Sequence, residues 1–141
     1  MARSKLWQVL LATLLIGAAA PPPLSVYVGH YPFDRVRGTT FLAHPRVRAT
    51  VAAAVPDRRI RGWIFERAGP HTPITRLRDG RLASFGCEAH NCGSHNWAIL
   101  IDPAGREAEV CYHDDAAIGR RSRWYARGRA PVLRAAGCQP E

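Results

Sequence analysis

Cys87 and Cys92 enclose Glu88-Ala89-His90-Asn91, and a glycine, Gly86 or Gly93, stands outside each cysteine. A bond between the two thiols closes a small ring with His90 near its tip. By the loop-closure relation such a ring constrains the unfolded chain by about 2 kcal/mol, a modest gain for the fold. Its larger effect is on binding, because a loop that is already stiff loses little entropy when it docks. His90 lies between the small Ala89 and the polar Asn91, and projecting stiffened loops are natural binding tips. The loop is therefore read as the working part of the chain and the remainder as its mount.

Other chemistries are available to the same residues. Cys87, His90, Cys92 and His95 are all acceptable zinc ligands, which makes a zinc-binding or redox protein of the cell envelope the alternative. Four ligands within so short a segment crowd one tetrahedron, and oxidation of the thiols removes two of them. A Cys/His nucleophile pair is weaker, since the neighbouring cysteine captures the thiolate in an oxidising compartment. No Ser-His-Asp order, paired carboxylates in a pocket or phosphate loop stands out. The chain is read as a non-enzyme without a cofactor. His44, His71 and His113 have no context that singles them out. Trp63, Phe65, Phe85, Trp97, Tyr112 and Trp124 are assigned to the core, and Glu66, Glu107 and Glu109 to solvated strand faces.

The mount begins with a segment of a different kind. Arg3 and Lys5 precede the apolar stretch 6–16, too short for a resident membrane helix, and Gly17-Ala18-Ala19-Ala20 supplies small residues for cleavage. Residues 1–20 are read as a signal peptide, which makes this an exported protein with no membrane span after cleavage. Removal takes Arg3 and Lys5 from the 20 Lys and Arg residues, leaves 18, all arginine, and lowers the formal charge from +9 to +7. These arginines are scattered, no DNA-reading motif is present and export removes the partner, so nucleic acid is not expected. All four cysteines lie in the exported part. An even count there reads as two disulfides. Three pairings are open, of which Cys87–Cys92 with Cys111–Cys138 is preferred, the second tying the C-terminal tail to a sheet.

Residues 21–30, opening with Pro21-Pro22-Pro23, read as an extended spacer, and 31–141 as a single domain. Pro45 suits a first helical turn, and Val47, Val51, Ala54 and Val55 share one face, which predicts a helix over 45–55. The apolar run 62–65 reads as a buried strand. Alternating residues on either side of Asp79-Gly80 predict a hairpin of 74–78 with 81–85. Strands follow at 96–101 and 107–112, then a charged connection over 120–123, a last strand at 124–125 and a final helix over 130–136. The sum is an α+β fold: an antiparallel sheet of about five strands with flanking helices and a projecting, disulfide-closed loop.

Cys87-Glu88-Ala89-His90-Asn91-Cys92-Gly93 is similar to the C-K-P-H-D-C-G loop of the Ivy family, inhibitors of vertebrate (c-type) lysozyme in Gram-negative bacteria. Tyr31-x-Phe33-Asp34, Trp63, Thr72-Pro73, Asp79-Gly80 and Asp102-Pro103 agree with that family in order and type. The resemblance runs from about Tyr31 to Tyr125 and implies a periplasmic α+β domain, often a homodimer, whose loop histidine enters the lysozyme cleft. Carried over by position, the plug is His90, Cys87 and Cys92 set the loop, and Asn91 is a rim contact. Glu88 stands for the family's Lys, Ala89 for its Pro and Asn91 for its Asp. These changes bring a carboxylate toward a site that already has two and loosen the loop by about 0.4–1 kcal/mol. The cell's own lytic transglycosylases, which cut the same polymer, are the alternative target.

Overall fold

The computed structural model describes residues 17, 19–66, 69–135 and 137–140. Apart from residues 17, 19 and 20, the expected signal segment lies outside them. The chain is α+β. Helix α1 (Pro45–Ala54) is followed by α2 (Arg58–Glu66), and six strands form one antiparallel sheet. These are β1 (Thr75–Arg76), β2 (Leu82–Cys87), β3 (His95–Ile101), β4 (Ala108–Asp114), β5 (Arg121–Ala126) and β6 (Val132–Ala135), and they lie side by side in chain order. A single helical turn, α3 (Asp115–Ile118), joins β4 to β5. Among the described residues no helix is long and apolar enough to cross a membrane.

Side chains alternate across the sheet and sort the core into two parts. Leu82, Trp97, Ile99, Ile101, Val110, Tyr112 and Tyr125 face the helices and pack with Val47, Val51, Ile60 and Ile64. Phe85, Cys87, Ala98 and Cys111 face the other way and form a smaller cluster with Cys138 and the half-buried Trp124. Helix α1 forms where the sequence predicts it. Pro45 opens it, and His44 caps it by accepting the Arg46 N–H on Nδ1 (3.2 Å). That bond leaves the proton on Nε2, which donates to the Pro22 carbonyl at 2.9 Å. His44 is thus a buried structural residue that ties the N-terminal segment to the helix.

Four expectations are corrected. The run 62–65 is helical, not a strand. Asp57 accepts the N–H groups of Arg59 and Ile60 (2.8 and 3.4 Å), and Ile60 and Ile64, one turn apart, are buried together. Within the expected helix 130–136, Val132–Ala135 form the edge strand β6, paired through Trp124↔Val132 and Ser122↔Arg134; Ala136 lies outside the described residues. It raises the strand count to six. The charged connection over 120–123 is largely strand, with Arg121, Ser122 and Arg123 inside β5. Finally, the spacer over 21–30 is not simply extended. A 3-10 turn at Leu24–Tyr27 buries Leu24 and Tyr27 in the helix-side core.

Of the aromatic residues assigned to the core, Phe65, Phe85, Trp97 and Tyr112 are buried, whereas Trp63 and Trp124 are half-buried. Glu66 is exposed on α2, while Glu109 bridges Arg81 and Arg134 at 3.0 and 3.8 Å.

The β3–β4 turn rests on Asp102, whose carboxylate accepts from the backbone N–H groups of Ala104, Arg106 and Glu107 at 2.9, 2.7 and 2.6 Å. Partial burial pushes its pKa up, but these donors prevail and hold it below the usual carboxylate value. A depressed folded pKa contributes stability that is present above the unfolded value and lost as pH falls through the folded one. Asp102→Ala is expected to lower stability by about 1–2 kcal/mol near neutral pH. Urea midpoints measured across pH should show the deficit shrinking in acid.

Candidate functional site

The sheet delivers the cysteine loop as the β2–β3 connection. Cys87 ends β2 opposite Asn96 on β3, and the Glu88 N–H donates to the His95 carbonyl (3.1 Å) as the last rung. Above that rung the chain leaves the sheet. Cys87 and Cys92 are joined, as are Cys111 and Cys138. The disulfide takes up both thiols that a zinc site would need. The Asn91 N–H donates to the Glu88 carbonyl (3.0 Å), and the Asn91 carbonyl accepts from both Ser94 and His95 (3.1 and 2.8 Å). A six-residue ring is thereby braced by its own backbone as well as by sulfur.

His90 is exposed on this loop with φ of +63°, one of two described non-glycine residues with positive φ. The left-handed region costs an L-residue about 1–2 kcal/mol, though histidine is among the side chains enriched there. The turn requires that backbone, and neighbours on either side hold it.

The brace beneath the loop consists of residues the sequence does not single out for this role. The Glu88 carboxylate folds back, accepting from Asn91 Nδ2 (2.8 Å) and from His95 Nδ1 (3.0 Å). On its other side, His95 Nε2 lies 2.8 Å from the Tyr112 hydroxyl. The Tyr112 hydroxyl in turn donates to Asp114 Oδ2 at 3.5 Å. Burial, aided by Asp114, pushes the Tyr112 pKa up to about 12, so that hydroxyl keeps its proton in any ordinary buffer. Trp63 stands edge-on to His95 with ring centres 4.4 Å apart. A polar line thus runs from the loop into the helix-side core. Glu88 is consequently tied down rather than aimed at a partner, and the Asn91 side chain is engaged at the loop rather than free at its rim.

The second disulfide reaches the same loop through Asn96. Its Nδ2 donates to the Cys92 carbonyl (2.8 Å), and its Oδ1 accepts the Cys138 N–H (2.9 Å). On the opposite side, the Cys87 N–H donates to the Pro70 carbonyl (3.1 Å), and Gly69 lies against the Cys87 carbonyl where any Cβ would collide with it. His71 bridges to Gly86, whose missing Cβ leaves room for His71 Nε2 and Trp97 Nε1. Burial pushes the His71 pKa down, which favours a neutral ring at this close approach. Among the described residues, no group of three or more His, Cys, Asp or Glu side chains is placed to hold a metal ion.

Glu88→Lys, which installs the residue of the resembling loop, is expected to destabilise this chain by about 1–2 kcal/mol, because buried His95 Nδ1 and Asn91 Nδ2 lose their acceptor. Chemical denaturation of the two proteins checks this. An unchanged midpoint would show that the brace contributes nothing.

A family model described as inhibitor of vertebrate lysozyme (Ivy) fits residues 46–126, a span that contains the loop, its brace, α2 and all of α1 but Pro45. No curated protein and no solved structure matches the chain.

Proposed function

The chain belongs to the Ivy family, inhibitors of vertebrate lysozyme, and from that premise we propose that it inhibits a c-type lysozyme by inserting His90 between the enzyme's two active-site carboxyl groups. The observation that carries the reading is the exposed left-handed His90 on a ring closed by Cys87–Cys92 and braced from below by Glu88 and His95. A retaining glycosidase keeps its two carboxyl groups about 5–5.5 Å apart, one ionised and the other holding its proton through a raised pKa. A neutral imidazole has one N–H donor and one bare nitrogen acceptor. It can therefore donate to the carboxylate and accept from the carboxylic acid at once, and the ring then fills the space where the scissile sugar linkage sits. No covalent step is required.

The surrounding loop makes this plug effective because its order is already established before contact. The Glu88 carboxylate, engaged by His95 and Asn91, is held back from the ionised carboxylate of the cleft. A periplasmic location is supported by the N-terminal segment, read as a signal peptide, and by two disulfides, which form in oxidising compartments. There it meets enzymes that cut peptidoglycan.

The test is a titration of the oxidised protein into a peptidoglycan suspension being cleared by c-type lysozyme. The expected result is saturable loss of clearing at a stoichiometry of one loop per enzyme. A lytic transglycosylase is titrated in parallel. Inhibition of that enzyme alone would move the target to the cell's own machinery, and inhibition of neither would overturn the reading.

A further inference from the structure

A second exposed surface is connected to the base of the loop through His71. Tyr31 and Phe33 are 51% and 44% exposed, and with Val28 they supply three of the five large apolar side chains left exposed among the described residues. A cluster of this kind in so short a segment is unusual for a surface that only meets water. Nor is the segment loose. The Tyr31 N–H donates to the Asp34 carboxylate (2.8 Å), and the Asp34 N–H returns to the Tyr31 carbonyl (2.9 Å). Ile74 clamps the residues just before it, accepting from Gly29 and donating to the His30 carbonyl, both at 2.8 Å. The Leu42 N–H closes the other side on the Pro32 carbonyl. The aromatic side chains are presented by a fixed backbone.

Their position is set by His71. The Phe33 ring meets His71 at right angles with centres 5.0 Å apart, and His71 bridges to Gly86, the residue before Cys87. Pro70, next to it, accepts the Cys87 N–H. The aromatic patch and the histidine loop therefore share one rigid root at the end of β2.

We infer that Tyr31 and Phe33 form the second half of the inhibitory surface and dock on the lip of the same glycosidase cleft that His90 enters. This rests on the plug reading above. A cleft that holds a polysaccharide extends over several sugars, and its walls carry the apolar surface on which sugar rings lie. Rigid aromatic side chains are the commonest anchors of protein interfaces, since they bury much area at little cost in freedom. The loop supplies the polar contact at the centre of the cleft, and the patch supplies apolar burial beside it.

The test uses Tyr31→Ser, Phe33→Ser and the double variant in the full oxidised protein, beside wild type and His90→Ala. Inhibition of c-type lysozyme, the dissociation rate of the complex, thermal midpoint and solution mass are measured for each. Expected for each single variant is inhibition weakened by about tenfold, carried mainly by faster dissociation, at an unchanged thermal midpoint. Tyr31→Ser, at the more exposed of the two positions, keeps the test valid if loss of the Phe33–His71 contact lowers stability. Wild-type inhibition that needs His90 but is untouched in the double variant overturns the patch and leaves the plug standing. A double variant that inhibits normally but changes from dimer to monomer assigns the patch to contacts between copies and also overturns it. No inhibition by wild type removes the plug, and the patch falls with it.

Discussion

His90→Ala is expected to abolish useful inhibition of c-type lysozyme, weakening it by about 30- to 1,000-fold. That range corresponds to the 2–4 kcal/mol carried by a central, fully desolvated interface residue. The loss is of that size because truncation removes both hydrogen bonds at once and leaves the enzyme's two carboxyl groups facing a gap. Folding should be nearly unaffected. The imidazole is exposed and makes no bond that holds the loop among the described residues, and the loop backbone is fixed by Asn91, Ser94 and His95. Alanine is somewhat less content than histidine at φ of +63°, so His90→Asn serves as the companion, since asparagine tolerates that backbone and lacks the ring. Clearing assays with both variants check the prediction. If both lose inhibition at unchanged thermal midpoints, the imidazole itself is responsible. If either retains wild-type inhibition, His90 is not the plug.

The parts of this argument differ in how far the sequence exposes them. The disulfide ring is legible because its cysteines are local, and the hairpin at Asp79-Gly80 and helix α1 are legible because turn chemistry and Pro45 mark them directly. Helix α2 is obscured because Gly62-Trp63-Ile64-Phe65 is too short to reveal a period; its identity rests on Asp57 and on Ile60 pairing with Ile64 across one turn. Strand β6 is obscured for a different reason. Its alanine-rich stretch favours a helix locally, but tertiary contacts decide: Arg134 lies over the Trp124 ring at 4.4 Å, and Cys138 draws the tail back to Cys111. The brace Glu88–His95–Tyr112 is not readable at all without register. Only the pairing Trp97↔Tyr112 brings the Tyr112 hydroxyl within reach of His95, and a shift of one residue would send it to the other face. Motif resemblance points to His90 as the proposed plug, whereas the supports of its loop are properties of the sheet.

Removing the two disulfides separately should divide stability from inhibition. The Cys111–Cys138 bond spans 27 residues, and the loop-closure relation assigns it about 3.5 kcal/mol. Cys111→Ala with Cys138→Ala is therefore expected to lower stability by that order, with a large drop in denaturation midpoint, because the tail is then free to leave the sheet. Cys87–Cys92 spans five residues and should contribute about 2 kcal/mol on the same relation. Its removal should nevertheless cost more inhibition, since the ring that holds His90 in its left-handed turn opens while the sheet beneath stays paired. The second bond is not wholly silent in binding. Asn96 connects the Cys138 N–H to the Cys92 carbonyl, so freeing the tail takes one support from the loop. Under conditions where both variants are folded, the expected order of inhibition is wild type, then the tail variant, then the loop variant. The expected order of stability is wild type, then the loop variant, then the tail variant. If the two orders instead coincide, inhibition follows global stability alone, and the claim that the small ring acts by holding His90 in place is lost.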